Sequence, residues 1–87
     1  MSRILVVEDE RHLADGLKFN LELESYQTEI IDNGEEALEC LGQKHHGFSL
    51  LVLDVMLPGI DGFEVISTLR ERGELIPTLM LTARSRP

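Results

Sequence analysis

Four short apolar runs alternate with three segments of helical period. This alternation constrains the fold more than any other property of the chain. Ile4 to Val7 is the first run, flanked by Arg3 and by the acids Glu8 and Asp9. Such a run without polar alternation predicts a strand buried on both faces, the kind found in parallel sheets. From about Arg11 the period changes. Leu13, Leu17 and Leu21 recur at every fourth position with Ala14 beside them, while Lys18, Asn20, Glu22 and Glu24 fall elsewhere. That is an amphipathic helix with the leucines inward. Tyr26 to Ile31 predicts a second strand, and Asn33-Gly34 a turn. Glu35 to Leu41 predicts a helix with Ala37, Leu38 and Leu41 inward, ended before His45-His46-Gly47. Leu50 to Leu53 is the third strand. A third helix follows Gly62, with Phe63, Ile66 and Leu69 inward and Gly73 at its end. Pro77 to Leu81 is the fourth strand. The order β-α-β-α-β-α-β implies parallel strands joined by right-handed helical crossovers, an α/β fold with an open parallel sheet.

The chain has 87 residues, enough for one small domain. At this length folding buries only about 60–65% of the surface that the unfolded chain exposes. Sixteen acidic residues against eight basic ones give a net charge of −8. Duplex DNA repels such a surface, because affinity for DNA rests on neutralising phosphates. Divalent cations and basic partners suit it better. One cysteine, Cys40, cannot form an intrachain disulfide, which fits a reducing compartment. The opening MSRILVVEDE is too short in apolar residues for a signal segment or a membrane span. The expectation is a soluble, cytoplasmic domain that binds neither membrane nor nucleic acid.

In LLVLDVMLPGIDG an apolar strand runs directly into Asp54. The first strand ends in Glu8-Asp9 and the fourth in Thr82. Parallel strands place all of these at one edge, where open α/β sheets bind their ligands. Three carboxylates there repel one another until a cation joins them. Hard oxygen donors suit Mg2+. A carboxylate at such a place can also act as a nucleophile and form an aspartyl phosphate.

VVEDE, LLVLDVMLPGIDG and LMLTAR, in that order and spacing, resemble the receiver domain of bacterial two-component response regulators. The MLPG and LTAR wording is most similar to the OmpR-like group, whose members append a winged-helix DNA-binding domain. The resemblance implies a flavodoxin-like, doubly wound fold with strand order 2-1-3-4. It makes Asp54 the phosphoacceptor, phosphorylated by a sensor histidine kinase. It makes Glu8, Asp9 and Asp54 the Mg2+ ligands, joined by the backbone carbonyl of Met56. Thr82 becomes the switch hydroxyl and Ala83 the small residue that leaves the site open. Pro58 and Gly62 shape the loop beyond the acceptor. A receiver domain is a self-catalysed phosphoacceptor, not a turnover enzyme.

The resemblance also marks departures. A complete receiver domain continues past Arg84-Ser85-Arg86-Pro87 through a helix, a fifth strand and a last helix. The fifth strand brings a Lys that pairs with the phosphoryl group and usually an aromatic partner of the switch residue. Lys44 precedes the third strand and cannot replace that Lys by position. Residues 1–87 are therefore expected to be the N-terminal part of a single receiver domain. The fourth strand becomes an exposed edge, and self-association through that edge or through uncovered sheet surface is expected.

Other readings compete. Glu8 and Asp9 alone fit a helix N-terminal pair. Asp54 alone fits a turn, and Thr82 a plain strand end. An aspartyl phosphatase of the haloacid-dehalogenase kind needs a second acid two residues after its nucleophile, and Met56 stands there. A pseudo-receiver or interaction module that takes no phosphate remains as the alternative. His12, His45 and His46 lack the spacing of a zinc site and read as solvated. Cys40 reads as a helix residue at the edge of the core, Asp61 as a helix N-cap and Asp32 as a turn residue. Arg70-Glu71-Arg72 reads as a solvated helix face. Ser25, where the family often carries glycine, is expected to end its helix under slight strain.

Overall fold

The computed structural model describes residues 2–81. The seven elements are β1 (Arg3–Val7), α1 (Arg11–Leu23), β2 (Gln27–Ile31), α2 (Gly34–Leu41), β3 (Leu50–Asp54), α3 (Gly62–Glu71) and β4 (Thr78–Leu81). All strand pairs are parallel, in the order β2-β1-β3-β4. The element order and the parallel pairing agree with the reading of the alternation, and the strand order with what the resemblance implies.

Side-chain alternation along the strands feeds two cores. Leu5, Val7, Leu51 and Leu53 face Ala37 and Leu41 of α2 and Val65 and Leu69 of α3. Ile4, Val6 and Val52 face the other way, toward Leu17 and Leu21 of α1. Every one of the strand residues is buried, as a sheet covered on both faces requires.

Each helix opens on a side-chain cap. The Glu10 carboxylate accepts from Leu13 N–H at 2.8 Å, Asn33 Oδ1 from Glu36 N–H at 2.8 Å and Asp61 Oδ1 from Glu64 N–H at 2.9 Å. Asp61 is the N-cap expected of it. Asn33-Gly34 is not a free turn: Asn33 caps α2 and Gly34 is its first residue. Glu10, rather than Glu8 or Asp9, caps α1. Gly73 ends α3 at φ +84°, and Ser25 follows α1 at φ +73°, the strained position expected for a residue other than glycine.

Two packing expectations are corrected. Phe63 is 60% exposed, and Val65 takes its place in the core. Gly62, Val65 and Leu69 form the buried stripe of α3, and Phe63 lies off it. Leu13 is exposed and only Ala14 of α1 is fully buried, because among the described residues a single helix covers that face and its flanks stay open. Arg70, Glu71 and Arg72 are all exposed, as expected of a solvated helix face. Arg70 also donates to the carbonyls of Glu74 (2.8 Å) and Ile76 (2.9 Å) and so ties the loop after α3.

Gly16 sits exposed in the middle of α1, and a Cβ there would meet nothing within 4 Å. Gly16→Ala is expected to stabilise the chain by about 1 kcal/mol, since glycine costs that much in a helix interior. Chemical denaturation checks this; an unchanged or lower midpoint would contradict the open space above α1.

Candidate functional site

The acid site forms where β1 and β3 end. Asp54 is the last residue of β3, paired in register with Leu81 of β4. Its side chain is carried out of the sheet by a strand whose other residues are fixed in the core. Glu8 follows β1 directly and is held by the backbone: its N–H donates to Ile31 O at 3.0 Å. Its Oε2 accepts from Glu10 N–H at 2.9 Å, across the turn into α1. Glu8 and Asp54 are each 1% exposed, while Asp9 faces solvent.

Carboxylate oxygens of Glu8, Asp9 and Asp54 lie within 4.8 Å of one another. The structure thus assembles the three acids that the sequence placed at one edge. All three donors are hard oxygens, two of them buried, and the third is open to solvent. That set fits Mg2+, which takes one or two carboxylates and keeps water and phosphate oxygens for its other positions.

The loop from Val55 to Asp61 locks onto the strand it leaves. Val55 O accepts from both Leu57 N–H (3.2 Å) and Gly62 N–H (2.9 Å). Met56 N–H donates to Asp54 Oδ1 at 3.1 Å, which fixes the rotation of the carboxylate. The Met56 side chain itself is exposed. A groove lined by Asp9, Met56, Leu57, Pro58, Asp61 and Phe63 opens beside the acids. Gly62 carries the closest approach: a Cβ there would come within 2.9 Å of Val55 Cα and closer still to Asp54 O. Thr82 and Ala83 lie outside the described residues.

The remaining candidates lie elsewhere. His12 and His45 are exposed. His46 corrects the solvated reading: its ring is 12% exposed and bonds Glu74 Oε1 at 2.9 Å through Nε2. Its Nδ1 accepts from Phe48 N–H at 3.0 Å, so the proton sits on Nε2. The pair ties the loops before β3 and β4 at the opposite end of the strands from Asp54. Cys40 packs against the core as expected. Burial, then the nearby Glu29 charge, pushes its thiol up, and Arg3 only partly opposes this. The reactive thiolate is therefore suppressed. His46 and Glu74 are 28 residues apart, and no local motif announces their contact.

Known proteins agree with this geometry. The family described as the response regulator receiver domain matches residues 4–87. The chain belongs to that family. The transcriptional regulatory protein PcoR of Escherichia coli is 43% identical over 84 residues, covering 97% of this chain and 36% of PcoR. The response regulator TrrA, solved in complex with the histidine kinase ThkA, is 38% identical with a TM-score of 0.84, over 99% of this chain and 72% of that one. TrrA of Thermotoga maritima in complex with Mg(2+)-BeF gives a TM-score of 0.76 at 27% identity, over 97% of this chain and 90% of that one. This chain spans about a third of the length of the curated relatives it matches. Among the described residues no helix is long and apolar enough to cross a membrane.

Proposed function

We propose that Asp54 is the phosphoacceptor of this receiver domain, and that a sensor histidine kinase is its donor. The observation that carries the reading is the convergence of Glu8, Asp9 and Asp54 within 4.8 Å at the end of β3. These three residues would hold Mg2+, with the Met56 carbonyl as a fourth protein ligand. Bound there, the ion would offset the charge of the incoming phosphoryl oxygens.

An Asp54 carboxylate oxygen attacks the phosphorus of a phosphohistidine in line with the bond to nitrogen. The O–P bond forms, the P–N bond breaks, and its electron pair stays on the donor imidazole. Met56 N–H holds the carboxylate in one rotamer for that attack. Water later splits the acyl phosphate, which returns the carboxylate and inorganic phosphate. Each Asp54 takes one phosphoryl group, so the domain is a signalling component and not a turnover enzyme. Thr82 and Ala83 keep the switch and small-residue roles that their motif implies. In the parent protein the phosphoryl group would bias a two-state surface that controls a transcriptional output. The setting is cytoplasmic, and this segment itself does not contact nucleic acid. The TrrA complexes with ThkA and with Mg(2+)-BeF support a kinase partner and a metal-assisted acceptor.

The test is amide NMR with Mg2+ and beryllofluoride, a phosphoryl mimic. Resonances of Glu8, Asp54 and Met56 are expected to shift, and Asp54→Asn is expected to remove the response. A well-dispersed spectrum that does not move would overturn the assignment.

Self-association belongs to the same proposal. β4 is the outer strand among the described residues, and Leu79 on it is 57% exposed. An apolar strand edge of this kind templates pairing with a second chain. Light scattering is expected to show a species larger than the monomer, and a monodisperse monomer would rule it out.

A further inference from the structure

The first turn of α2 has no part in the chemistry described above, yet it touches both halves of the acid site. On one side β2 runs into it, and Ile31 O accepts the Glu8 N–H at 3.0 Å. On the other side its opening residues press against the loop that carries Met56. Gly34 is buried, and a Cβ there would lie 2.7 Å from Ile60 Cγ1 and 2.6 Å from Val65 Cγ2. A Cβ on Gly59 would lie 2.7 Å from Glu35 Oε2. Helix and loop are thus seated on each other, with Ile60 and Val65 filling the space of a Cβ on Gly34 and the exposed Glu35 carboxylate lying over Gly59.

We infer that this seat is a positioning device for the metal site. Gly34, by having no side chain, lets Ile60 dock on the start of α2, and that docking holds the Met56 and Asp54 backbone in register with Glu8. The inference rests on the Mg2+ site proposed above. Neither Gly34 nor Ile60 contributes a carboxylate to the cluster. Both act through the 55–61 loop, whose first half is held by Val55 N–H to Leu81 O, by Val55 O to Leu57 and Gly62, by Met56 N–H to Asp54 Oδ1 and by burial of Leu57 in the main core. The α2 seat supports the second half, around Gly59 and Ile60. Asn33, which caps α2, keeps the first turn of the helix in place for this contact.

A packing role alone predicts that truncating Ile60 costs stability like any half-buried aliphatic. A positioning role predicts a selective loss of metal binding. Ile60→Ala is expected to weaken Mg2+ binding about 10-fold, the scale of losing support behind a metal ligand. The affinity is read from the amide shifts of Asp54 and Met56. Ile60→Leu, which refills the seat, is expected to restore it. Ile66→Ala, an equal truncation in the second turn of α3, is expected to leave Mg2+ affinity unchanged. Gly34→Ala is expected to act like Ile60→Ala; if that variant does not fold, Ile60→Ala decides alone. Parent-like affinity in Ile60→Ala, or an equal loss in Ile66→Ala, would overturn the inference. If the parent chain binds no Mg2+, the proposed function fails and exchange of the Met56 amide decides the seat. Faster exchange in Ile60→Ala supports it, and unchanged exchange overturns it.

Discussion

Gly62→Ala is expected to lower stability by about 3 kcal/mol, the upper range for forcing a methyl group into a filled site. The atoms in its way are backbone: Asp54 O and, at 2.9 Å, Val55 Cα. A rotamer change cannot clear them. Relief requires α3 to withdraw from the end of β3, which breaks the 2.9 Å bond from Gly62 N–H to Val55 O. Val65 and Leu69, both buried on the same stripe, then leave their places in the main core. For 87 residues the whole stability is about 4–13 kcal/mol, so the loss is a large share of it. A urea titration checks the result, with Gly16→Ala moving the midpoint in the opposite direction. A midpoint within error of the parent would mean that α3 does not press on Asp54 as described.

Magnesium is expected to stabilise the chain through the same end of β3. A ligand that binds only the folded state contributes about 2.7 kcal/mol at a hundredfold excess over its Kd. For a domain of this size that corresponds to a rise of about 10–20 °C in Tm. Asp54→Asn removes one carboxylate of the three and is expected to abolish most of the rise. Calorimetry with and without the ion separates the cases. An equal rise in the Asn variant would place the ion elsewhere among the sixteen acids.

Much of this site was legible before any coordinates. Strands β1 and β3 announce themselves because four apolar residues in a row have no helical period, and each run stops at an acid. Parallel connection then forces Glu8, Asp9 and Asp54 to one edge. Gly62 as a loop-shaping residue came from its motif, but its contact with the Asp54 carbonyl did not. That contact sets the rotation of α3, and so decides that Val65 and not Phe63 is buried; both are apolar, and periodicity cannot choose between them. Asn33-Gly34 misled for a related reason. The pair has the chemistry of a turn, and only the closeness of Ile60 and Val65 shows why glycine opens a helix there. The bond between His46 and Glu74 was hidden because it joins two loops far apart in sequence.

The two faces of the sheet are filled unequally. Among the described residues, two helices and eleven buried residues close the larger core on one side, and α1 alone shelters Ile4, Val6 and Val52 on the other. Detaching α1 would uncover the small cluster and break the 3.0 Å bond from Lys18 Nζ to Thr28 O, whereas the exposed pairs Arg11–Asp15 and Lys18–Glu22 lie within the helix and do not hold it to the sheet. The supports of Asp54 come from the opposite face, through α3 and the start of α2. Local opening is therefore expected to cost less at α1 than at β3, the inner strand that carries Asp54. Glu8 stands at the boundary, since its carboxylate bonds the turn that leads into α1 while its N–H is bonded to β2. Motion of α1 can thus reach one ligand of the acid cluster and leave the phosphoacceptor itself in place.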